Sequence, residues 1–294
     1  MIRTLARWGA FVWMAGCLTL VVGCNQERNE SIRLMNQGLQ LFKQDRLTDA
    51  LSKLGQAADV DPTNDRAFFY QGLLYEQKLD KFKSAEDNYR KALELRPDSG
   101  EYSYHLGATL AKQKRWNEAV TALEQALQLD PARAEAHLRL GMSLEHLEKF
   151  DRAQEVYMKA IRTNPRLPEA YNSLGNLYRR FEQYSHAAQV FKNATQNNPD
   201  WALNYHDLGL VYQAQSRLDD AITQFEKARS LDGKHTGTLF NLGMAYHANG
   251  DKSSARRYLQ LYLTRRTANE DPLRIEAAQD TLARLDEAAK KRPK

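Results

Sequence analysis

The chain has 294 residues, of which 42% are hydrophobic and 27% charged, so it can form one large domain or two ordinary ones and is not a wholly disordered chain. The formal net charge is +5, and the bases alternate with acids instead of gathering in one region. This pattern argues against nucleic-acid binding.

The first 24 residues are typical of a targeting signal. Arg3 and Arg7 precede an uncharged apolar run from Trp8 to Val22, which is the layout of a secretory signal peptide. The run is short for a membrane-spanning helix, which needs about 20 apolar residues. It ends in Val-Val-Gly-Cys, and this ending resembles the bacterial lipobox, in which a small residue precedes a lipid-modified cysteine.

The resemblance to a lipobox implies that residues 1–23 are removed, that Cys24 carries a lipid, and that residues 24–30 form a tether. Gly16-Cys17 is an alternative site, but it would leave a very short apolar core, and an uncleaved anchor is a further alternative. Asn25 is not the aspartate that retains many such lipoproteins at the inner membrane, which favours the outer membrane. Since Cys17 and Cys24 are the only cysteines, the mature domain would have no free thiol and no disulfide.

The rest of the chain repeats itself with a period of 34 residues, apart from one unit of 35. Small residues recur at fixed places in each unit. A glycine is followed by an alanine twelve or thirteen residues later, and in six units a second alanine follows after seven more residues. The glycines are Gly38, Gly72, Gly107, Gly141, Gly175, Gly209 and Gly243, and the first alanines are Ala50, Ala85, Ala119, Ala153, Ala187, Ala221 and Ala255. Prolines close the first five units.

The pattern closely resembles the tetratricopeptide repeat (TPR) family. Leu174-Gly175 and Tyr178 match its first helix, and Ala187, Phe191 and Ala194 match its second. The resemblance implies an all-α fold, a right-handed α-solenoid of seven helix-turn-helix repeats in residues 31–269. The expected repeats are 31–64, 65–99, 100–133, 134–167, 168–201, 202–235 and 236–269.

Residues 270–294 are expected to form a capping helix and a basic tail. Asp271-Pro272 is a typical start of a helix, since aspartate caps the first turn and proline is tolerated there. The last repeat departs from the pattern with Lys252 and Tyr262, as the terminal units of repeat arrays often do.

No motif for catalysis, phosphate binding or metal binding occurs in the sequence. The seven histidines show no pair spaced four residues apart, and no P-loop, HExxH or GxSxG is present. Because the repeats and the cap fill nearly all of the mature chain, we predict that the protein is not an enzyme and that it uses no cofactor and no metal.

The resemblance also predicts which side chains line the partner-binding groove. In TPR proteins the first helix of each repeat lines the concave face, and the second, fifth, ninth, twelfth and thirteenth positions of the repeat point inward. Here these positions are apolar or aromatic in the first repeats and polar in the later ones. The predicted groove residues are Phe69, Tyr104, Leu138, Asn172, Asn176, Arg179, Arg180, His206, Gln213, Phe240 and His247. Aromatic and arginine residues are common hot spots of interfaces. The alternative is that Phe69, Tyr104 and the arginine pair only pack within the array.

The expected function is that of a protein-binding scaffold of the bacterial envelope, anchored by its lipid in the outer membrane and facing the periplasm. The resemblance to TPR lipoproteins points to pilotins, which assist assembly of the secretin pore of type IV pili. It also points to adaptors that recruit peptidoglycan hydrolases or synthases. A third alternative is carbohydrate or lipid binding by the aromatic part of the groove.

Overall fold

A computed structural model describes residues 25–267 and 270–290 of the chain. These residues form fifteen helices and no strand. The helices are α1 (25–43), α2 (Leu47–Val60), α3 (Asp65–Lys78), α4 (Phe82–Leu95), α5 (Gly100–Lys112), α6 (Trp116–Leu129), α7 (Ala134–His146), α8 (Phe150–Thr163), α9 (Pro168–Arg180), α10 (Tyr184–Asn197), α11 (Ala202–Ala214), α12 (Leu218–Leu231), α13 (Thr236–Ala248), α14 (Lys252–Arg265) and α15 (Pro272–Lys290).

The helices follow one another in helix-turn-helix pairs. The first helices of repeats two to seven begin at residues 65, 100, 134, 168, 202 and 236. The fold is therefore an all-α helical repeat array followed by α15. The one difference lies at the start, where residues 25–30, expected as a tether, belong to the first turns of α1.

The small residues of the repeat allow the two helices of each unit to pack closely. In repeat five, a Cβ added at Gly175 would clash with the ring of Phe191, which is fully buried. The two marker alanines of the second helix are buried in the same way, as Ala187 and Ala194 show. The periodic glycine and alanines thus mark the contact between helices.

A residue in the left-handed conformation reverses the chain between the two helices of each repeat. Its φ lies between 49° and 85° in all seven repeats, at Asp45, Asp80, Lys114, Glu148, Glu182, Ser216 and Gly250. A backbone hydrogen bond then closes the turn, for example from the Arg115 amide to the Leu110 carbonyl. In the 35-residue repeat this bond joins Lys81 to Tyr75, so the turn contains the additional residue.

The chain divides into two compact units. Unit 1 ends at Lys149 and, among the described residues, contains α1–α7, whereas unit 2 begins at Phe150 and contains α8–α15. In unit 2, the terminal helix α15 packs on α13 and α14 and buries Ala278 and Leu285. It therefore completes the core of the last repeat, as expected of a cap.

Candidate functional site

The first helices of the repeats form one continuous face in each unit. In unit 1, α3 contacts α5 and α5 contacts α7, and in unit 2, α9 contacts α11 and α11 contacts α13. The second helices do not contact one another in this way, since α4 and α6, or α10 and α12, are not neighbours. The first helices are thus on the side where successive repeats lie closest, which we call the inner face.

On the inner face of unit 1, the aromatic side chains pack mainly with one another. Phe69 is only 4% exposed and stacks on Tyr102, with ring centroids 4.6 Å apart. Its ring also lies 5.3 Å from the ring of His105. Phe69 therefore belongs to the core between α3 and α5, which corresponds to the packing alternative of the sequence analysis.

The other two predicted residues of unit 1 differ in accessibility. Leu138 on α7 is buried, so it contributes to packing. Tyr104 on α5 is partly exposed, and the Arg133 guanidinium lies 5.1 Å from its ring centroid. Of the three predicted residues, Tyr104 alone remains available to a partner.

Unit 1 also contains two buried carboxylates that were not among the predicted groove residues. Glu76 on α3 accepts hydrogen bonds from the Tyr89 hydroxyl at 2.8 Å and forms an ion pair with Lys112 at 3.2 Å. Burial acts to raise the pKa of Glu76, but hydrogen bonds from His105 and Tyr89 and the charge of Lys112 together lower it to about 2. Glu76 occupies the twelfth position of its repeat, which is an inward position, and this was the available signal.

The second carboxylate, Glu86 on α4, is surrounded by donors in the same manner. The Arg90 Nε atom lies 2.9 Å and the Arg115 Nη1 atom 2.6 Å from its oxygens. Burial opposes ionisation, but the hydrogen bonds from Arg90, Arg115 and Gln113 lower the pKa of Glu86 to about 2. Both buried acids of unit 1 are therefore ionised and well paired at neutral pH.

The inner face of unit 2 carries a chain of polar side chains along α9. The Arg179 Nη1 atom donates to the Asn176 Oδ1 atom at 2.9 Å, and Asn176 Nδ2 donates to Asn172 Oδ1 at 3.1 Å. Asn172 Nδ2 then donates to an oxygen of Asp207 on α11 at 2.5 Å. Three of the predicted residues are thus joined in one chain, and all three are partly exposed.

The buried carboxyl group of Asp207 accepts the last hydrogen bond of this chain. Asp207 is only 7% exposed. Burial raises the pKa of its carboxyl group to about 6, although the Asn172 hydrogen bond and the charge of Arg179 oppose this rise. Asp207 was not among the predicted groove residues, because it lies next to the inward position of His206 and not at an inward position itself.

His206 is also buried, and it joins α11 to α13. Its Nδ1 atom lies 3.0 Å from the Thr238 hydroxyl, which in turn lies 2.6 Å from Nδ1 of His235. Burial lowers the pKa of His206 to about 3, with further lowering from the charges of His235, Arg179 and Arg274. A buried neutral imidazole serves here as a link between two repeats.

The remaining predicted residues of unit 2 lie in different surroundings. Arg180 is exposed, but its guanidinium covers the Phe150 ring at 4.7 Å from the centroid. Phe240 contacts the Tyr262 ring at 5.3 Å and the Arg274 guanidinium of α15 at 5.9 Å. The cap thus occupies part of the face around Phe240, whereas Gln213 and His247 remain partly exposed.

The described residues offer no metal site or membrane span. No group of three or more His, Cys, Asp or Glu side chains in this part of the chain could hold a metal ion. Within the same residues, no helix has the length and hydrophobicity that a bilayer crossing requires. The predicted lipid-attachment residue, Cys24, and the predicted signal peptide lie outside the described residues.

Comparison with protein families identifies the repeats. Four family models, each described as a tetratricopeptide repeat, match residues 76–134, 110–177, 168–200 and 201–268. The matches follow one another without a gap from residue 76 to residue 268. No curated protein matches the chain significantly.

Solved structures with the same fold include three that match this chain over nearly all of their own length. PilF of Pseudomonas aeruginosa is 22% identical with a TM-score of 0.59, over 74% of this chain and 96% of that one. The C-terminal part of a TPR protein from Cytophaga hutchinsonii is 18% identical with a TM-score of 0.67, over 84% and 99%. YrrB, described as a TPR protein with an unusual peptide-binding site, is 20% identical with a TM-score of 0.52, over 65% and 97%. At these identities the likeness concerns the fold.

Proposed function

Because the chain belongs to the tetratricopeptide repeat family, we propose that it is a scaffold that binds a segment of a partner protein on its inner face. The observation that carries the proposal is the row of partly exposed polar side chains on α9, Asn172, Asn176 and Arg179, which are held in place by hydrogen bonds. Preorganised donors bind a partner with less loss of side-chain entropy than mobile ones do.

Site-specific photo-crosslinking tests this proposal. Benzoylphenylalanine placed at Gln213 would lie on the inner face of unit 2, and at Gln189, an exposed residue of α10, it would lie on a second helix. We expect a discrete crosslinked partner from position 213, with loss of the band in an Arg179→Ala background. Equal crosslinking from both positions, or crosslinking that ignores Arg179, would argue against binding on the inner face.

We also propose that the scaffold is anchored in the bacterial envelope by a lipid on Cys24. The proposal is supported by the sequence of residues 1–24, with its two arginines, apolar run and Val-Val-Gly-Cys ending. Replacement of Cys24 by alanine should release the protein from the membrane fraction, and replacement of Cys17 should not. The opposite pattern would transfer the lipid to Cys17.

Within the envelope, two partner classes fit a scaffold of this kind. One is a secretin whose assembly the protein would assist, and the other is a peptidoglycan hydrolase or synthase that it would recruit. Identification of the band crosslinked at position 213 separates them. Carbohydrate or lipid binding by an aromatic groove has less support, since Phe69 is buried and Arg133 lies over the ring of Tyr104.

A further inference from the structure

We propose that unit 1 faces a membrane of zwitterionic lipid with one defined edge, because α1 is helical from the residue that follows the predicted lipid-bearing Cys24. The inference rests on the proposed anchor at Cys24 and adds which surface of the protein lies against the membrane. We call this surface the loop edge. In unit 1 it consists of the start of α1 and the loops 61–64, 96–99 and 130–133.

Hydrogen bonds show that the start of α1 belongs to the loop edge. The Ser31 hydroxyl donates to the carbonyl of Ala57 near the end of α2 at 2.6 Å, and Asn64 Nδ2 in the following loop donates to Ser31 Oγ at 2.8 Å. The edge continues into the next repeats, since the Tyr102 hydroxyl at the start of α5 donates to the Asp65 carboxylate at the start of α3 at 2.6 Å. Thus α1, α3 and α5 all begin on the edge from which the chain leads back to Cys24.

The chain between Cys24 and the first repeat is helical. Residues 25–30 are the first turns of α1, and the Glu30 carboxylate accepts paired hydrogen bonds from the Arg33 guanidinium at 2.6 and 2.8 Å. At about 1.5 Å per residue, this segment spans roughly 9 Å. A helical segment transmits direction, whereas a flexible tether of the same length does not. A lipid on Cys24 would therefore keep the loop edge close to the membrane and turned toward it.

A polar hollow beside the start of α1 suits a lipid headgroup. Its volume is about 600 Å³, and its lining combines amides, both charges and one apolar residue at the end of α2, namely Gln26, Glu27, Asn29, Glu30, Arg33 and Val60. A zwitterionic headgroup carries a phosphate, which pairs with a guanidinium, and an ammonium, which pairs with carboxylates. The lining presents both partners next to the predicted lipid site, so a zwitterionic phospholipid matches its charges.

The exposed hydrophobic side chains of unit 1 also favour the loop edge. Among the described residues of this unit, four large hydrophobic side chains are exposed, and three of them lie at or near the loop edge. Leu95 and Leu129 are the last residues of α4 and α6, and Ile32 lies near the start of α1. The fourth, Met142, lies within α7. Apolar side chains on the edge that bears the anchor add contact with the membrane interface.

The opposite edge, where the chain reverses within each repeat, has a different character. Its turn residues in unit 1 are charged and exposed, namely Asp45, Asp80, Lys114 and Glu148. On the loop edge, by contrast, Arg96 pairs with Asp65 at 2.9 Å, and Arg133 pairs with Asp130 at 3.2 Å. Because these arginines are already neutralised by acids, the loop edge favours a zwitterionic surface over an anionic one.

The first test compares the two ends of one helix. Cys17 and Cys24 are the only cysteines, so in a Cys17→Ala background one added cysteine can be labelled with a fluorophore once Cys24 carries its lipid. Asp98→Cys lies in the loop after α4, and Lys81→Cys lies just before α4, about 20 Å away along the helix. The lipidated full chain is inserted into phosphatidylcholine vesicles that contain a lipid with a nitroxide on its headgroup.

We expect the nitroxide to quench the label at position 98 several-fold more strongly than the label at position 81, because the loop edge lies closer to the headgroups. Equal quenching at both positions, or stronger quenching at position 81, would overturn the proposed orientation.

A matched pair of variants tests the rigidity of α1. Asn29 is an exposed residue of α1 ahead of the first repeat. Asn29→Pro interrupts the helix, since proline has no N–H and clashes with the preceding turn, whereas Asn29→Ala preserves it. We expect Asn29→Pro to stay on the vesicles with nearly equal quenching at positions 81 and 98, and Asn29→Ala to keep the difference. An unchanged difference in Asn29→Pro would contradict the role of α1.

The same labels test the kind of lipid and separate this inference from the anchor. Replacing part of the phosphatidylcholine by anionic phosphatidylglycerol should leave the ratio of quenching at positions 98 and 81 unchanged. A ratio that requires the anionic lipid and is lost in salt would overturn the zwitterionic surface. Vesicle binding without a difference between the labels rejects the orientation and leaves the anchor in place, whereas a chain without lipid on Cys24 rejects both.

Discussion

The two units are built from the same repeat but treat their buried acids in opposite ways. In unit 1, Glu76 and Glu86 are surrounded by cations and hydroxyl donors, and their pKa values fall to about 2. In unit 2, Asp207 has an amide as its hydrogen-bond partner, and its pKa rises to about 6. The two units thus share one pattern of helix packing, while the polar residues around the first helices give their buried acids different environments.

The largest effect is expected when the paired acid of unit 1 is neutralised. Glu76→Gln removes the buried negative charge that pairs with Lys112 and replaces one of the two acceptor oxygens by an N–H donor, so it should lower the free energy of unfolding by about 3 kcal/mol. The exposed acid Glu101 provides the control, since Glu101→Gln should change stability by less than about 0.5 kcal/mol. Urea unfolding measures both, and a loss in Glu76→Gln as small as that expected of the control would mean that Glu76 is not a stabilising acid.

The next prediction concerns the close packing of the two helices within a repeat, which both units use. Gly175→Ala forces a methyl group against the ring of buried Phe191, and overpacking of this kind costs about 2 kcal/mol. At Gly55 in α2 an added Cβ meets nothing within 4 Å, so Gly55→Ala should instead stabilise the helix by about 0.8 kcal/mol. Thermal unfolding distinguishes the signs. Destabilisation by both variants would show that the space around Gly55 is closed.

Asp207→Asn should change stability in the direction opposite to Glu76→Gln. At pH 7 the variant avoids an ionised buried carboxylate and should be more stable than the parent by about 1 kcal/mol. A raised pKa contributes stability below the unfolded value near 3.8 and loses it as the pH rises through about 6. The advantage of the variant should therefore shrink between pH 7 and pH 4. An advantage that grows on acidification would contradict the raised pKa.

The smallest effect separates the two adjacent arginines of α9. Arg180 covers the Phe150 ring, so Arg180→Ala should cost about 0.5 kcal/mol of stability and leave the crosslink from position 213 intact. Arg179→Ala should have little effect on stability and should remove that crosslink. The two readouts are the free energy of unfolding and the crosslinking yield. Loss of the crosslink in Arg180→Ala would mean that the binding site extends beyond the polar side chains of α9.

The sequence predicted the fold well because the small residues that recur in each repeat lie where two helices pack closely. Glycine and alanine recur where two helices approach, and the structure places Gly175, Ala187 and Ala194 in that contact. The turn residues with positive φ were not predicted, since six of the seven are not glycine. The start of α1 was also missed, because the polar composition of residues 25–30 suits a tether as well as an exposed helix.

The candidate site was predicted only in part, because helical position gives the direction of a side chain but not its neighbours. Asn172, Asn176 and Arg179 do lie together on the inner face. Phe69 has an equally inward position, yet the ring of Tyr102 from the next repeat covers it. Asp207 was missed for the same reason, since its role depends on a residue 35 positions away.

The most direct test of the difference between the units is the ionisation of their buried acids. The side-chain carboxyl signals of Asp207 and Glu76 can be followed by carbon-detected NMR in the full chain as the pH is lowered. We expect Asp207 to titrate near pH 6 and Glu76 to remain ionised down to about pH 2. An Asp207 midpoint below the ordinary aspartate value near 3.8 would contradict the account, because a carboxylate so stabilised would be a structural ion like Glu76.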